Sequence, residues 1–134
     1  MGAVRALLYH WGWEAEAAMI HRWKKYQELL EARRRELCEE LARKRAQLAI
    51  ESGGDMLDRM RSFTERELAV RTVNRLTRLL AEVDLALERI RDDTYGTCRA
   101  CGRPIGARRL TAVPWCSLCI ECQEAADRGD LEAA

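Results

Sequence analysis

The sequence predicts an all-α chain: an antiparallel hairpin coiled coil followed by a small C-terminal zinc finger of four cysteines. Three observations predict it. Two apolar stripes at heptad spacing run through a stretch, 15–93, that holds no proline. A glycine pair, Gly53 and Gly54, separates them. Two C-x2-C pairs then follow within 25 residues.

The first helix is expected from about Ala15 to Glu51. Ile20, Trp23, Leu30, Leu37, Leu41 and Leu48 fall on a and d positions of one register, with Gln27, Arg34 and Lys44 as polar interruptions. "ESGGD" (51–55) breaks the pattern, since glycines suit a helix end and a tight reversal. Asp55 is placed to cap the next helix, with Asp58 in its first turn. In that second helix Ala69, Val73, Leu76, Leu80, Val83, Leu87 and Ile90 alternate spacings of four and three, and Gly96 is expected to stop it. Each arm is about 37 residues, or roughly 55 Å at 1.5 Å per residue. Near-equal arms without a third apolar stripe favour a hairpin over a globular bundle.

Cys98-x2-Cys101 and Cys119-x2-Cys122 stand 17 residues apart, the spacing of a four-cysteine zinc site. Gly102 fits the tight turn that aims backbone N–H groups at sulfur. "IECQEAAD" reads as a helix whose first turn holds Cys122, where the dipole favours a thiolate. The competing pair Cys116/Cys119 would leave Cys122 free; 119/122 is preferred because it uses the helix start. Four thiolates close the coordination sphere, so one structural Zn²⁺ is expected, fixing a piece too small to fold on its own core. Cys116 is then a spare thiol and Cys38 a semi-buried packing residue.

Composition excludes several functions. Lys+Arg 23 against Asp+Glu 22 gives a net charge of +1, so no global field recruits nucleic acid or membrane. "RRR" (33–35) and "RKR" (43–45) read as solvated helix faces. No window is apolar enough to span a membrane, and the N-terminus lacks a signal-peptide pattern, so a cytoplasmic location is expected. His10 and His21 have no partner in sequence, and no nucleophile–base arrangement points to an enzyme.

Two long helices followed by "DDTYGTCRACGRPIGARRLTAVPWCSLCIECQ" resemble the DksA/TraR family of C4-type zinc-finger transcription factors. The likeness covers about 22–126 and is most specific in "DTYGTCRACGRPIGARRL", "LCIECQ" and "DMLDR". It implies the zinc ligands Cys98, Cys101, Cys119 and Cys122. It also implies direct binding to RNA polymerase, with the hairpin inserted into the secondary channel, no direct DNA binding, and a monomer. The family's acidic tip pattern D-x-x-D-x-A falls on Asp55, Asp58 and Met60, the last replacing alanine. Arg75 is a further candidate contact to the polymerase. The resemblance implies three segments: 1–18, an N-terminal extension matching nothing in the family; 19–93, the hairpin with its tip at 52–58; and 94–134, the finger and C-terminal helix. Met19 opens the recognisable part and is a candidate start. Members form a ppGpp site with the polymerase using basic side chains. The corresponding positions here are Glu82, Val113 and Gln123, so weak ppGpp dependence is expected, with Arg75 and Arg78 as partial compensation. Two rival readings are a nucleic-acid-binding zinc ribbon using Arg99, Arg103, Arg108 and Arg109, and a coiled-coil adaptor with dispensable tip aspartates.

Overall fold

The structure, a computed structural model, describes residues 3–49 and 55–131, with side chains described for 22–49 and 55–131. Helix α1 runs Ala3–Ala49 and α2 runs Met56–Arg91; two short helices follow, α3 (Ala107–Ala112) and α4 (Ile120–Asp127). Among the described residues there is no strand, only an isolated antiparallel bridge between Thr97 and Pro104. Helix α1 begins twelve residues before the expected Ala15, because from Ala3 to the glycine pair there is no proline and only the single Gly12, which a helix tolerates at about 1 kcal/mol. The predicted glycine turn, and with it residues 52–54 of the 52–58 tip segment, lies outside the described residues, as do the side chains of His10, Ile20 and His21.

The two long helices pack on each other along the predicted stripes. Leu30, Leu37 and Leu41 of α1 and Leu76 and Val83 of α2 are buried, each stabilising by about 1.5–3 kcal/mol. Val73, Leu80, Leu87 and Ile90 flank them partly buried. Arg34, one of the polar interruptions, donates to Asp84 across the seam at 2.7 Å. Both side chains are half exposed, so the pair fixes register more than it adds stability. Cys38 is exposed, not semi-buried. Leu37 takes the seam, and the next residue on a helix turns about 100° away from it.

Among the described residues, packing on α2 is confined to the part away from the turn. On α2, partial burial begins at Ala69, and every described residue from Asp55 to Leu68 is exposed. At the other end, Trp23 and Tyr26 of α1 meet Tyr95 beyond α2, with Trp23 edge-on to Tyr95 at 5.0 Å between ring centres.

Candidate metal centre and hairpin tip

Helix α2 stops earlier than Gly96. Asp92 caps it, Asp93 takes a left-handed conformation (φ 59°), and the amides of Thr94 and Tyr95 both return to the Arg89 carbonyl. Aspartate tolerates that conformation better than most residues, so the stop falls on the Asp pair. Gly96 has a different task. Its φ is 81°, and a Cβ there would meet the Trp23 ring at 2.7 Å. Glycine therefore lets the finger's first turn lie flat against α1. Tyr95 is buried and donates its hydroxyl to the Pro114 carbonyl at 2.6 Å, and burial pushes its phenol pKa up. The Arg89 guanidinium donates to the Thr94 and Thr97 carbonyls. These contacts fasten the finger to the packed end of the hairpin.

Within the finger, Gly102 (φ 71°) makes the turn that brings Cys98 and Cys101 to one side, with its amide donating to the Cys98 carbonyl at 3.0 Å. The Cys98 amide donates to the Arg103 carbonyl at 2.8 Å. Cys119 is the N-cap of α4 and Cys122 lies in that helix's first turn. The Arg99 amide joins the two halves through the Ser117 carbonyl at 2.9 Å. Short α3, which no periodic signal in the sequence announces, buries Leu110 between them.

The sulfurs of Cys98, Cys101, Cys119 and Cys122 all lie within 4.8 Å of one another. Cys101 and Cys119 approach to 3.8 Å, close to the spacing that Zn–S bonds of about 2.3 Å impose at a tetrahedral ion. Burial opposes ionisation of Cys98, yet backbone N–H groups of Cys101, Cys119 and Ala100 bring its thiol down to about 6. The amide and guanidinium of Arg103 likewise pull Cys101 down, and Arg103 is itself held by Glu121 at 2.5 Å. Cys122 is pushed up to about 12 by the hydrogen bond with Cys119, then by burial and the other sulfurs. Crowded thiolates repel one another, and a dication at their centre removes that conflict. The donor set thus fits one structural zinc ion and leaves no open position for water or substrate. Cys116 is buried outside this group, and burial pushes its thiol up.

At the far end, Asp55 caps α2 by accepting from the Asp58 amide at 2.9 Å, and both aspartates are exposed. Met60 is exposed one turn further on. Arg75 and Arg78 are exposed on α2. Glu82, Val113 and Gln123, far apart in sequence, come together along one cleft of about 710 Å³ between α2 and the finger. Arg89, Arg99 and Arg109 also line it, whereas Arg75 and Arg78 do not. In the sequence, Arg99 and Arg109 stand out only as a basic surround of the finger. Their convergence with Arg89 follows from the finger folding back on α2.

A helical hairpin with a C-terminal four-cysteine finger defines the class: a coiled-coil protein with a C4-type zinc finger. The prokaryotic dksA/traR C4-type zinc finger family model matches residues 93–128. The RNA polymerase-binding transcription factor DksA of Escherichia coli K12 is 32% identical over 121 residues, covering 89% of this chain and 78% of that protein. The factor of the same name from Caulobacter vibrioides is 41% identical over 78 residues, 58% of this chain and little more than half (55%) of that protein. The solved structure of transcription factor DksA2 from Pseudomonas aeruginosa superposes with a TM-score of 0.73 at 32% identity, covering 82% of this chain and 86% of that one. The chain belongs to the DksA/TraR family of C4-type zinc-finger proteins.

Proposed function

We propose that this protein is an RNA polymerase-binding regulator of transcription initiation that inserts the tip of its hairpin into the polymerase secondary channel. The observation that carries the reading is the acidic pair Asp55/Asp58 at the start of a long, wholly exposed helical stretch, in a chain whose relatives are named RNA polymerase-binding factors. A probe one or two helices thick suits a narrow channel. Two carboxylates at its end would address the Mg²⁺ of the active centre or nearby basic loops. Cys98, Cys101, Cys119 and Cys122 would hold the zinc, Met60 would sit beside the acidic pair, and Arg75 would contact the polymerase from the exposed side of α2. The segments 1–18, 19–93 and 94–134 would serve as extension, lever and anchor. The reading is of a non-enzymatic cytoplasmic monomer; no helix among the described residues is long and apolar enough to cross a membrane.

Direct DNA binding is not part of the reading. The finger's arginines are largely engaged: Arg103 with Glu121, Arg109 with the Leu118 carbonyl. Weak ppGpp dependence remains the reading for the 710 Å³ cleft. Glu82 repels phosphate, and Arg89 already serves two carbonyls. The test is equilibrium binding to purified core polymerase, paired with transcription from a ribosomal-type promoter. Submicromolar binding with an altered initiation rate supports the reading. Salt-dependent binding to DNA alone, without polymerase binding, supports the zinc-ribbon alternative.

A further inference from the structure

The exposed stretch of α2 is amphipathic in a way the hairpin does not use. At about 100° per residue, Met56, Leu57, Met60, Phe63, Thr64 and Leu68 fall within about 140° of arc. Glu67 is the sole charged residue in that arc; Asp58, Arg59, Arg61, Glu65 and Arg66 occupy the other side. The arc points nearly opposite to the packing seam defined by Val73, Leu76, Leu80 and Val83. Met56, Leu57, Met60 and Phe63 are 73%, 77%, 62% and 69% exposed, and no described residue covers them. Such large apolar side chains clustered on a free helix mark an interaction surface.

We infer that Met56, Met60 and Phe63 form a helix-in-groove anchor that seats the tip against an apolar groove of RNA polymerase, supplying affinity while Asp55 and Asp58 supply the effect. The inference rests on the proposed function. Three features select this occupant. The anchors recur at i, i+4 and i+7, the spacing read by a groove that receives one helix. Their arc, about 140° with its flanks, is wider than the narrow a/d stripe that a single partner helix covers, which argues against a second copy of this chain. The polar side of 55–68 carries as many acids (Asp55, Asp58, Glu65) as arginines (Arg59, Arg61, Arg66), whereas a helix lying on an anionic lipid surface presents a cationic one. The anchors and the acidic pair share the first turns of one helix, so whatever receives the aspartates also meets the apolar face.

The experiment compares the wild-type chain, Met56→Gln/Met60→Gln/Phe63→Gln, the single Phe63→Gln, and Asp55→Asn/Asp58→Asn for binding to purified core polymerase. Helicity, zinc content and thermal midpoint are followed for each. The triple variant should keep all three properties and bind about 10- to 100-fold more weakly, with Phe63→Gln intermediate, as for loss of central apolar anchors. The Asn pair should bind as wild type. Binding of the triple variant within twofold of wild type overturns the inference while leaving the proposed function standing. So does a wild-type dimer, or flotation on anionic vesicles, that the triple variant abolishes. Failure of the wild type itself to bind core removes the proposed function and this inference with it.

Discussion

The two ends of the hairpin are built on opposite terms. At the base, Trp23, Tyr26, Leu30 and Leu37 of α1 close on Val83, Ala86, Tyr95 and Leu110, and the finger is fastened by Arg89 and by the Tyr95–Pro114 hydrogen bond. At the tip, fourteen consecutive described residues, Asp55 to Leu68, are all exposed, including five large apolar side chains. A sequence under selection for stability alone would not leave methionine and phenylalanine in water on a helix that already has a polar side. On the proposed function the base holds the shape and the tip makes contact: changes at one end should move stability, and changes at the other should move binding and regulation.

The sharpest break of that division is at the metal. Cys122→Ser should release zinc and unfold the finger, whereas Cys116→Ser should change zinc content little; metal analysis with circular dichroism reads both. Zinc lost by Cys116→Ser and kept by Cys122→Ser would reassign the second ligand pair. Next comes the seam, where Leu37→Ala should cost about 2–5 kcal/mol in urea unfolding and leave intrinsic tip activity untouched at temperatures where the variant is folded. Gly96→Ala should cost about 1–3 kcal/mol, because it combines a left-handed backbone with a clash against Trp23. If it unfolds no more easily than wild type, the finger does not lie on α1 as described.

At the tip the expectations reverse. Asp55→Asn with Asp58→Asn should leave the melting curve and polymerase binding nearly unchanged, since asparagine still caps a helix, and should abolish the effect on transcription. Binding and activity falling together would give the aspartates a structural role. The smallest effect concerns Met60→Ala. At saturating protein it should strengthen regulation, following the family pattern, even as the loss of one apolar anchor weakens affinity. Measuring the two separately keeps them apart.

Much of the base is legible in the sequence because it is periodic. The four-three alternation from Ala69 to Ile90 needs only helix geometry, and the C-x2-C spacings need only the coordination chemistry of zinc. Ala86 escapes such a reading because a small residue beside the a/d register carries no hydropathy signal, yet it is buried. Trp23 and Tyr95 read singly in the sequence; their contact spans 72 positions and depends on how the finger folds back. The same fold-back gathers Arg89, Arg99 and Arg109 with Glu82 in one cleft. The sequence points to Gly96 as the helix stop because glycine is the stronger stop signal, but Asp93 takes that conformation first. The apolar side of the tip is visible in "MLDRMRSFTERE". It becomes meaningful only once the packing seam is known to face the other way.

The most direct test of the central claim is site-specific photocrosslinking from the tip to purified RNA polymerase core, with the photoreactive residue at Leu57 and a control at Arg108 on the finger. Crosslinks are expected from position 57 to segments lining the secondary channel near the active-centre Mg²⁺. They should be lost when a second channel-binding protein competes, and absent from position 108. Crosslinks from position 57 confined to the outer surface of the polymerase, or none from 57 alongside strong ones from 108, would contradict it.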